Sequence, residues 1–198
     1  MKNTTGSPDN KARFEIRLAG SGGQGVILAG IILAEASTLE GKYSAHSQTY
    51  GPEARGGSSR SDVVLSDSEI DYPWSMESHI LVALTQESYD QNVPNLNAEG
   101  LIIVDSDMVH RVHWKKCLSI PFRRIARDLG EERAINMAVL GAVAAFCPFI
   151  SRKSLLQIIE KRLPPSKLDP SIQAFDKSME LAKRSNISNW DNKDKCEI

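Results

Sequence analysis

Apolar residues along this chain fall into short runs whose period changes from two to about 3.6 and back. Phe14 to Ala19 is a compact apolar-rich run and predicts a strand. Gln24 to Leu39 follows helical spacing, with Val26, Leu28, Ile31, Ile32 and Ala36 supplying apolar contacts, and Gly41 stands where a helix-ending glycine belongs. Tyr43 to Gln48 and Asp62 to Ser66 predict two further strands. His79 to Leu84 and Leu101 to Asp105 are continuous apolar runs, the pattern of strands buried on both faces. Between them Glu87 to Asn92 predicts a short helix, and Cys117 to Pro121 is a further strand candidate. Beyond it the pattern turns helical: Arg123 to Leu129, Arg133 to Phe146, Lys153 to Arg162 and Pro170 to Arg184. A proline at the start of the last segment suits a first helical turn.

Strands alternating with helices predict an α/β fold, a Rossmann-like, mostly parallel sheet flanked by helices, with a helical C-terminal part. Residues 1–11 and 186–198 are polar and predict mobile tails around one domain spanning 12–185. A length of 198 residues with 41% hydrophobic content is enough for a full core. The formal net charge of -1 gives no reason to expect nucleic acid or a membrane surface as partner. Met1 to Lys11 has no apolar stretch and does not read as a signal peptide. Met137 to Ile150, broken by Gly141 and Pro148, is too short to span a bilayer. Cys117, Cys147 and Cys196 are far apart and form no CxxC pair, so a structural zinc or iron-sulfur cluster is not expected from this chain alone. Scattered cysteines suit a reducing compartment, and a cytoplasmic location follows as the expectation.

The densest chemistry lies in two glycine-rich stretches. Gly20, Gly22 and Gly25, with Ser21, Gly23 and Gln24 between them, fit G-x-G-x-x-G after a strand and before a helix. Glycines let a ligand or another backbone approach the main chain, and a helix start offers unpaired N–H groups with partial positive charge. A dinucleotide site also wants an acidic residue after the second strand, and that region reads Ala45-His46-Ser47-Gln48. No Gly-Lys-Ser/Thr follows either, so the phosphate-binding loop of nucleotide triphosphatases is absent. Two readings stand: an anion seat, or the commoner tight strand-to-helix turn packed on a neighbour. The second stretch, Tyr50 to Arg60, carries Glu53, Arg55, Gly56, Gly57 and Arg60. Its arginines suit bidentate contact with carboxylate or phosphate, and its glycines suit close backbone approach. Read alone, it is also an ordinary surface loop with a Glu53–Arg55 contact worth little. Its position after the second strand places it on the same rim as the first glycine turn.

Leu18-Ala19-Gly20-Ser21-Gly22-Gly23-Gln24-Gly25-Val26, Tyr50-Gly51-Pro52-Glu53-Ala54-Arg55-Gly56-Gly57, Ser61-Asp62-Val63-Val64 and Ile70-Asp71-Tyr72-Pro73 together resemble the gamma subunit of 2-oxoacid:ferredoxin oxidoreductases. The likeness is dense from about residue 13 to 105 and thinner through the C-terminal helices, where Asn136-Met137 and Leu140-Gly141 still fit. The second glycine stretch most resembles the 2-oxoglutarate branch. The resemblance implies an assembly that oxidatively decarboxylates a 2-oxoacid, passes two electrons to ferredoxin and makes an acyl-coenzyme A. It implies alpha and beta partner subunits, with a ferredoxin-like delta subunit in some assemblies. Thiamine diphosphate, Mg²⁺ and iron-sulfur clusters would sit in those other chains, and this chain would be inactive alone. Two uses of the glycine stretches then follow. Gly20, Gly22, Gly23, Gln24, Gly25, Tyr50, Glu53, Arg55, Gly56, Gly57 and Arg60 would bind coenzyme A, its phosphates taken by the Gly22–Gly25 helix start and by Arg55 or Arg60; alternatively the same loops would only dock a subunit, with Gly56 and Gly57 lying against the alpha chain. A free-standing nucleotide-binding oxidoreductase and a ligand-free scaffold remain the competing classes.

Other residues carry less. His110 and His113 would share a face on a helix but lack a third metal ligand. Arg111, Lys115, Lys116, Arg123, Arg124 and Arg127 form a basic stretch that most often is a solvated face. Trp74 and Trp114 suit a core edge or an interface. Asp105 and Asp107 follow a buried strand, where turn and capping roles are expected.

Overall fold

The computed structural model describes residues 13–51, 57–185 and 187. Six strands form one sheet: β1 (Arg13–Ser21), β2 (Tyr43–Tyr50), β3 (Ser58–Ser66), β4 (Ser78–Ala83), β5 (Leu96–Asp105) and β6 (Cys117–Ile120). Their order is β2-β3-β1-β4-β5-β6. β1, β4, β5 and β6 pair in parallel, while β3 runs antiparallel to both β1 and β2. The sheet is therefore mixed and mostly parallel, with β3 inserted as the returning arm of a hairpin. Helices α1 (Val26–Leu39), α2 (Gln86–Asn92), α3 (Phe122–Asp128), α4 (Ile135–Ala144), α5 (Arg152–Arg162) and α6 (Pro165–Arg184) complete the fold. No helix among the described residues is long and apolar enough to cross a membrane.

Strand alternation divides the core. Ile16 and Leu18 of β1 join the larger cluster, with Ile32 and Leu33 of α1, Val139 of α4 and Phe175 of α6. Ala19 joins the smaller one on the opposite face, with Leu81, Tyr89, Ile102 and Val109. Arg17 lies on that second face as well, and its guanidinium meets Asp62 of β3 at 2.7 and 3.1 Å. The two side chains are 4% and 3% exposed, so this bidentate pair is shut away from water. Its register is direct, Arg17 opposite Asp62 across the β1–β3 ladder.

Three boundaries differ from the sequence pattern. β3 begins at Ser58, not Asp62, because the polar run Ser58–Ser61 lies across the ladder from Gln48–Tyr50 at the end of the hairpin. β5 begins at Leu96, not Leu101, and its polar start is irregularly paired with β4. α6 begins at Pro165, so Pro165 holds the first-turn position and Pro170 lies inside the helix, where it forgoes one backbone hydrogen bond. His110 and His113 sit between β5 and β6 in chain that is not helical, so the shared-face spacing does not apply. Asp105 does act at a turn: its carboxylate accepts from the amides of Asp107 at 3.0 Å and Arg123 at 3.4 Å. Burial raises its pKa above the ordinary value. Apart from residue 187, the polar tails lie outside the described residues, as do Glu53, Arg55 and Gly56.

Candidate functional site

β1 ends at Ser21, and the chain must then turn sharply to start α1. Gly25 makes that turn at φ 73°, in the left-handed region. A Cβ there would also lie 2.6 Å from Nδ2 of Asn136, so α4 closes against bare backbone. Gln24 folds under the turn, its Oε1 accepting from the Ser21 amide at 2.6 Å. That oxygen occupies the space a Cβ on Gly20 would need, at 2.3 Å. Gln24 is 7% exposed and its buried Nε2 has no hydrogen-bond partner. It props the turn from within. Helix α1 has no side-chain cap and no acidic residue in its first turn, so its leading N–H groups keep their positive potential.

The second glycine stretch is the tip of the β2–β3 hairpin. Gly51 donates to the Ser58 carbonyl at 2.7 Å, closing the hairpin, and Gly22 donates to the Gly57 carbonyl at 2.8 Å. The two stretches therefore meet at one edge of the sheet, main chain to main chain. Tyr50 ends β2 and is 64% exposed. Arg60 is a strand residue rather than a loop residue, opposite Ala19 on one side and Thr49 on the other. Its Nε lies 3.4 Å from the Asp62 carboxylate already held by Arg17.

The joined turn separates two clefts. One, of about 320 Å³, is lined by Gly20, Tyr50, Gly51 and Arg60 with Gln91 and Asn92 of α2. The other, of about 360 Å³, is lined by Gly23, Gly25, Arg133, Asn136, Lys167 and Ser171 among others. Sequence reasoning grouped all the glycine-turn residues with Arg60; the structure puts Gly23 and Gly25 on one side of the turn and Gly20, Tyr50 and Arg60 on the other. Around the larger cleft α1 begins after Gly25 and α6 after Pro164, neither with a side-chain cap or an acidic residue in its first turn. α4 continues from a 3₁₀ turn, Glu132–Ala134, where the Glu131 carboxylate caps the Arg133 amide. Asn136 and Ser171 are 6% and 3% exposed, and neither side chain finds a hydrogen-bond partner among the described residues. Lys167 pairs with Glu131, whose carboxyl is held below its ordinary pKa by that contact. Arg133 is in no ion pair among the described residues, although it also lines the cleft. The arrangement offers an anion backbone N–H groups, Arg133, the side chains of Asn136 and Ser171, and a Lys167 already shared with the Glu131 carboxylate on the same wall.

Sequence reasoning missed Arg133, Lys167 and Ser171 as site residues, and noticed Asn136 only through the resemblance. The one local signal was an asparagine at the start of an otherwise apolar helix segment. On the hairpin side, His46 Nε2 lies 2.8 Å from Ser61 Oγ. Burial lowers its pKa below the ordinary 6.5, and the charge of Asp62 pulls it partly back.

Comparison with known proteins matches residues 15–181 to the family described as pyruvate ferredoxin/flavodoxin oxidoreductase. The chain is 39% identical to the 2-oxoglutarate synthase subunit KorC of Methanocaldococcus jannaschii over 179 residues, covering 87% of this chain and 96% of that protein. Among solved structures it is similar to the gamma subunit of a keto/oxoacid ferredoxin oxidoreductase from Geobacter sulfurreducens. That likeness has a TM-score of 0.78 and 35% identity, over 86% of this chain and 97% of that one. The 2-oxoglutarate:ferredoxin oxidoreductase from Magnetococcus marinus, solved with 2-oxoglutarate, coenzyme A and succinyl-CoA bound, gives a TM-score of 0.79 at 25% identity. There the match covers 88% of this chain but 32% of the other.

Proposed function

The chain belongs to the pyruvate ferredoxin/flavodoxin oxidoreductase family, and on that premise we propose that it is the gamma subunit of a 2-oxoglutarate:ferredoxin oxidoreductase whose glycine-turn edge holds the phosphates of coenzyme A. The complete assembly converts 2-oxoglutarate and coenzyme A to succinyl-CoA and CO₂, with two electrons delivered to ferredoxin. Residues 12–185 act as one gamma-type unit within it, in the cytoplasm. Thiamine diphosphate, Mg²⁺ and the iron-sulfur clusters are supplied by the alpha, beta and ferredoxin-like subunits. This chain's own work is to bind and orient. Coenzyme A carries a pyrophosphate and a 3′-phosphate, both matched to helix N-termini and cations.

One observation carries the reading: the uncapped starts of α1 and α6 converge on a single cleft that the side chains of Asn136 and Ser171 line without a hydrogen-bond partner among the described residues. Both side chains face the cleft and are free to donate to an anion there. Arg133 and Lys167 supply charge, while Gly23 and Gly25 let phosphate oxygens reach the main chain. Arg60 serves the other side of the turn, where the remainder of the cofactor would pass.

The test is the Michaelis constant for coenzyme A in the intact complex. Arg133→Ala with Lys167→Ala raises it by about tenfold or more while the constant for 2-oxoglutarate is unchanged. Repeating the measurement with 3′-dephospho-coenzyme A separates the pyrophosphate from the 3′-phosphate. Arg55→Ala is the matching test for the hairpin tip. An unaltered constant in an assembled complex would remove the phosphate role and leave the second reading, in which the joined turn only docks a neighbouring subunit. The Gly22–Gly57 contact and the exposed Tyr50 beside it favour that second reading.

A further inference from the structure

At the opposite end of β1 from the glycine turn, residues 67–77 connect β3 to β4. This connection is longer than the two to six residues that usually join neighbouring elements. It is held from below by one ion pair. Arg13 Nε meets Glu15 Oε1 at 2.6 Å, and the same guanidinium donates to the carbonyls of Tyr72 and Trp74, each at 2.9 Å. Glu15 Oε2 accepts from the amides of Met76 at 2.7 Å and Glu77 at 3.2 Å. Glu15 is 4% exposed, a carboxylate buried to anchor a loop. The side chains presented above this clamp are Tyr72, Trp74 and Met76, exposed by 51%, 52% and 64%. Between Trp74 and Met76, Ser75 turns inward with its hydroxyl buried.

Large apolar side chains held out to water on an ordered backbone are the features of a binding anchor. The clamp removes in advance the entropy that ordering the loop would cost on association. Glu69, Asp71 and Glu77 lie on the same connection, are exposed, and enter no ion pair among the described residues. The loop thus presents apolar side chains interleaved with carboxylates. We infer that the 67–77 loop is a pre-formed docking surface for another subunit of the same assembly, one presenting an apolar hollow rimmed by lysine or arginine. The inference rests on the proposed subunit role. In the Magnetococcus marinus enzyme this fold matches 32% of a longer chain.

The experiment reconstitutes the complex from this chain and its partner subunits and measures their dissociation constant by sedimentation. Tyr72→Ala with Trp74→Ala weakens association at least about thirtyfold, the loss expected on removing a hot-spot pair. A circular-dichroism melt of the variant chain reports whether it remains folded. Glu69→Lys, Asp71→Lys and Glu77→Lys together weaken association too, and raising the salt concentration weakens the wild type in the same direction. Assembly of the aromatic variant at wild-type affinity would overturn the inference. So would a homodimer of the isolated wild-type chain that the same substitutions dissolve, since the occupant would then be a second copy. At saturating subunit concentration the aromatic variant keeps the Michaelis constant for coenzyme A, whereas the Arg133→Ala, Lys167→Ala variant raises it without affecting assembly. The two proposals therefore fail separately.

Discussion

The two ends of β1 solve recognition with different materials. At Ser21 the edge is made of main chain: glycines, helix starts and a carbonyl–amide contact between two turns. At Arg13 the edge is made of side chains: a clamp of one arginine and one glutamate beneath Tyr72, Trp74 and Met76. Backbone N–H groups are fixed in direction and small in reach, which suits a compact anion. Aromatic and thioether side chains cover area, which suits a second protein surface. The strand between these ends is rigid and carries the buried Arg17–Asp62 pair at its middle. In the two proposals a single strand therefore keeps the coenzyme A edge and the docking edge apart.

That contrast can be broken in four places. The largest effect belongs to Asp62→Ala, which strands Arg17 in a dry site. Denaturant unfolding should show a loss of about 3–5 kcal/mol, and both edges should loosen together because the strand joins them. Gly25→Ala comes next, at about 1–3 kcal/mol, from left-handed strain and collision with Asn136. It should also raise the Michaelis constant for coenzyme A while leaving assembly through the opposite edge intact. The third concerns pH. Because burial holds His46 below 6.5 in the folded state, the unfolded chain takes up its proton first. Stability is thus complete above that value, falls as pH drops through it, and levels off below the depressed folded value. Thermal melts between pH 8 and about 5 should lose this component in His46→Gln. The smallest effect is on the stability of Trp74→Ala, within about 0.5 kcal/mol of wild type, because its side chain is half exposed. A large loss there would show that the aromatic loop is part of the core and erase the distinction between the edges.

The helices and the buried strands were readable because their periods are unmixed. β4 is nearly all apolar, and α1 keeps helical spacing to its glycine stop. The start of β3 was not readable. Ser58 to Ser61 owe their extended form to ladder partners in β1 and β2, and a polar run carries no mark of a partner in another strand. The glycine turn and the hairpin tip were visible as motifs, and their placement on one rim followed from chain order. Arg133 and Lys167 were not, because each lies on an element far along the chain and has an unremarkable local sequence, and Asn136 entered only through the family resemblance.

Taken alone, the amino-acid order determined the α/β class, the strand-to-helix glycine turn and the family resemblance, since these depend on local periodicity and on motifs contiguous in the chain. Tertiary structure decided that Gly22 bonds to Gly57, that the starts of α1 and α6 face one cleft, and that Arg13 and Glu15 clamp a loop some sixty residues away in the chain. Those features depend on which elements pack together. Packing is settled by burial summed over the whole core, a quantity that no single stretch of chain contains.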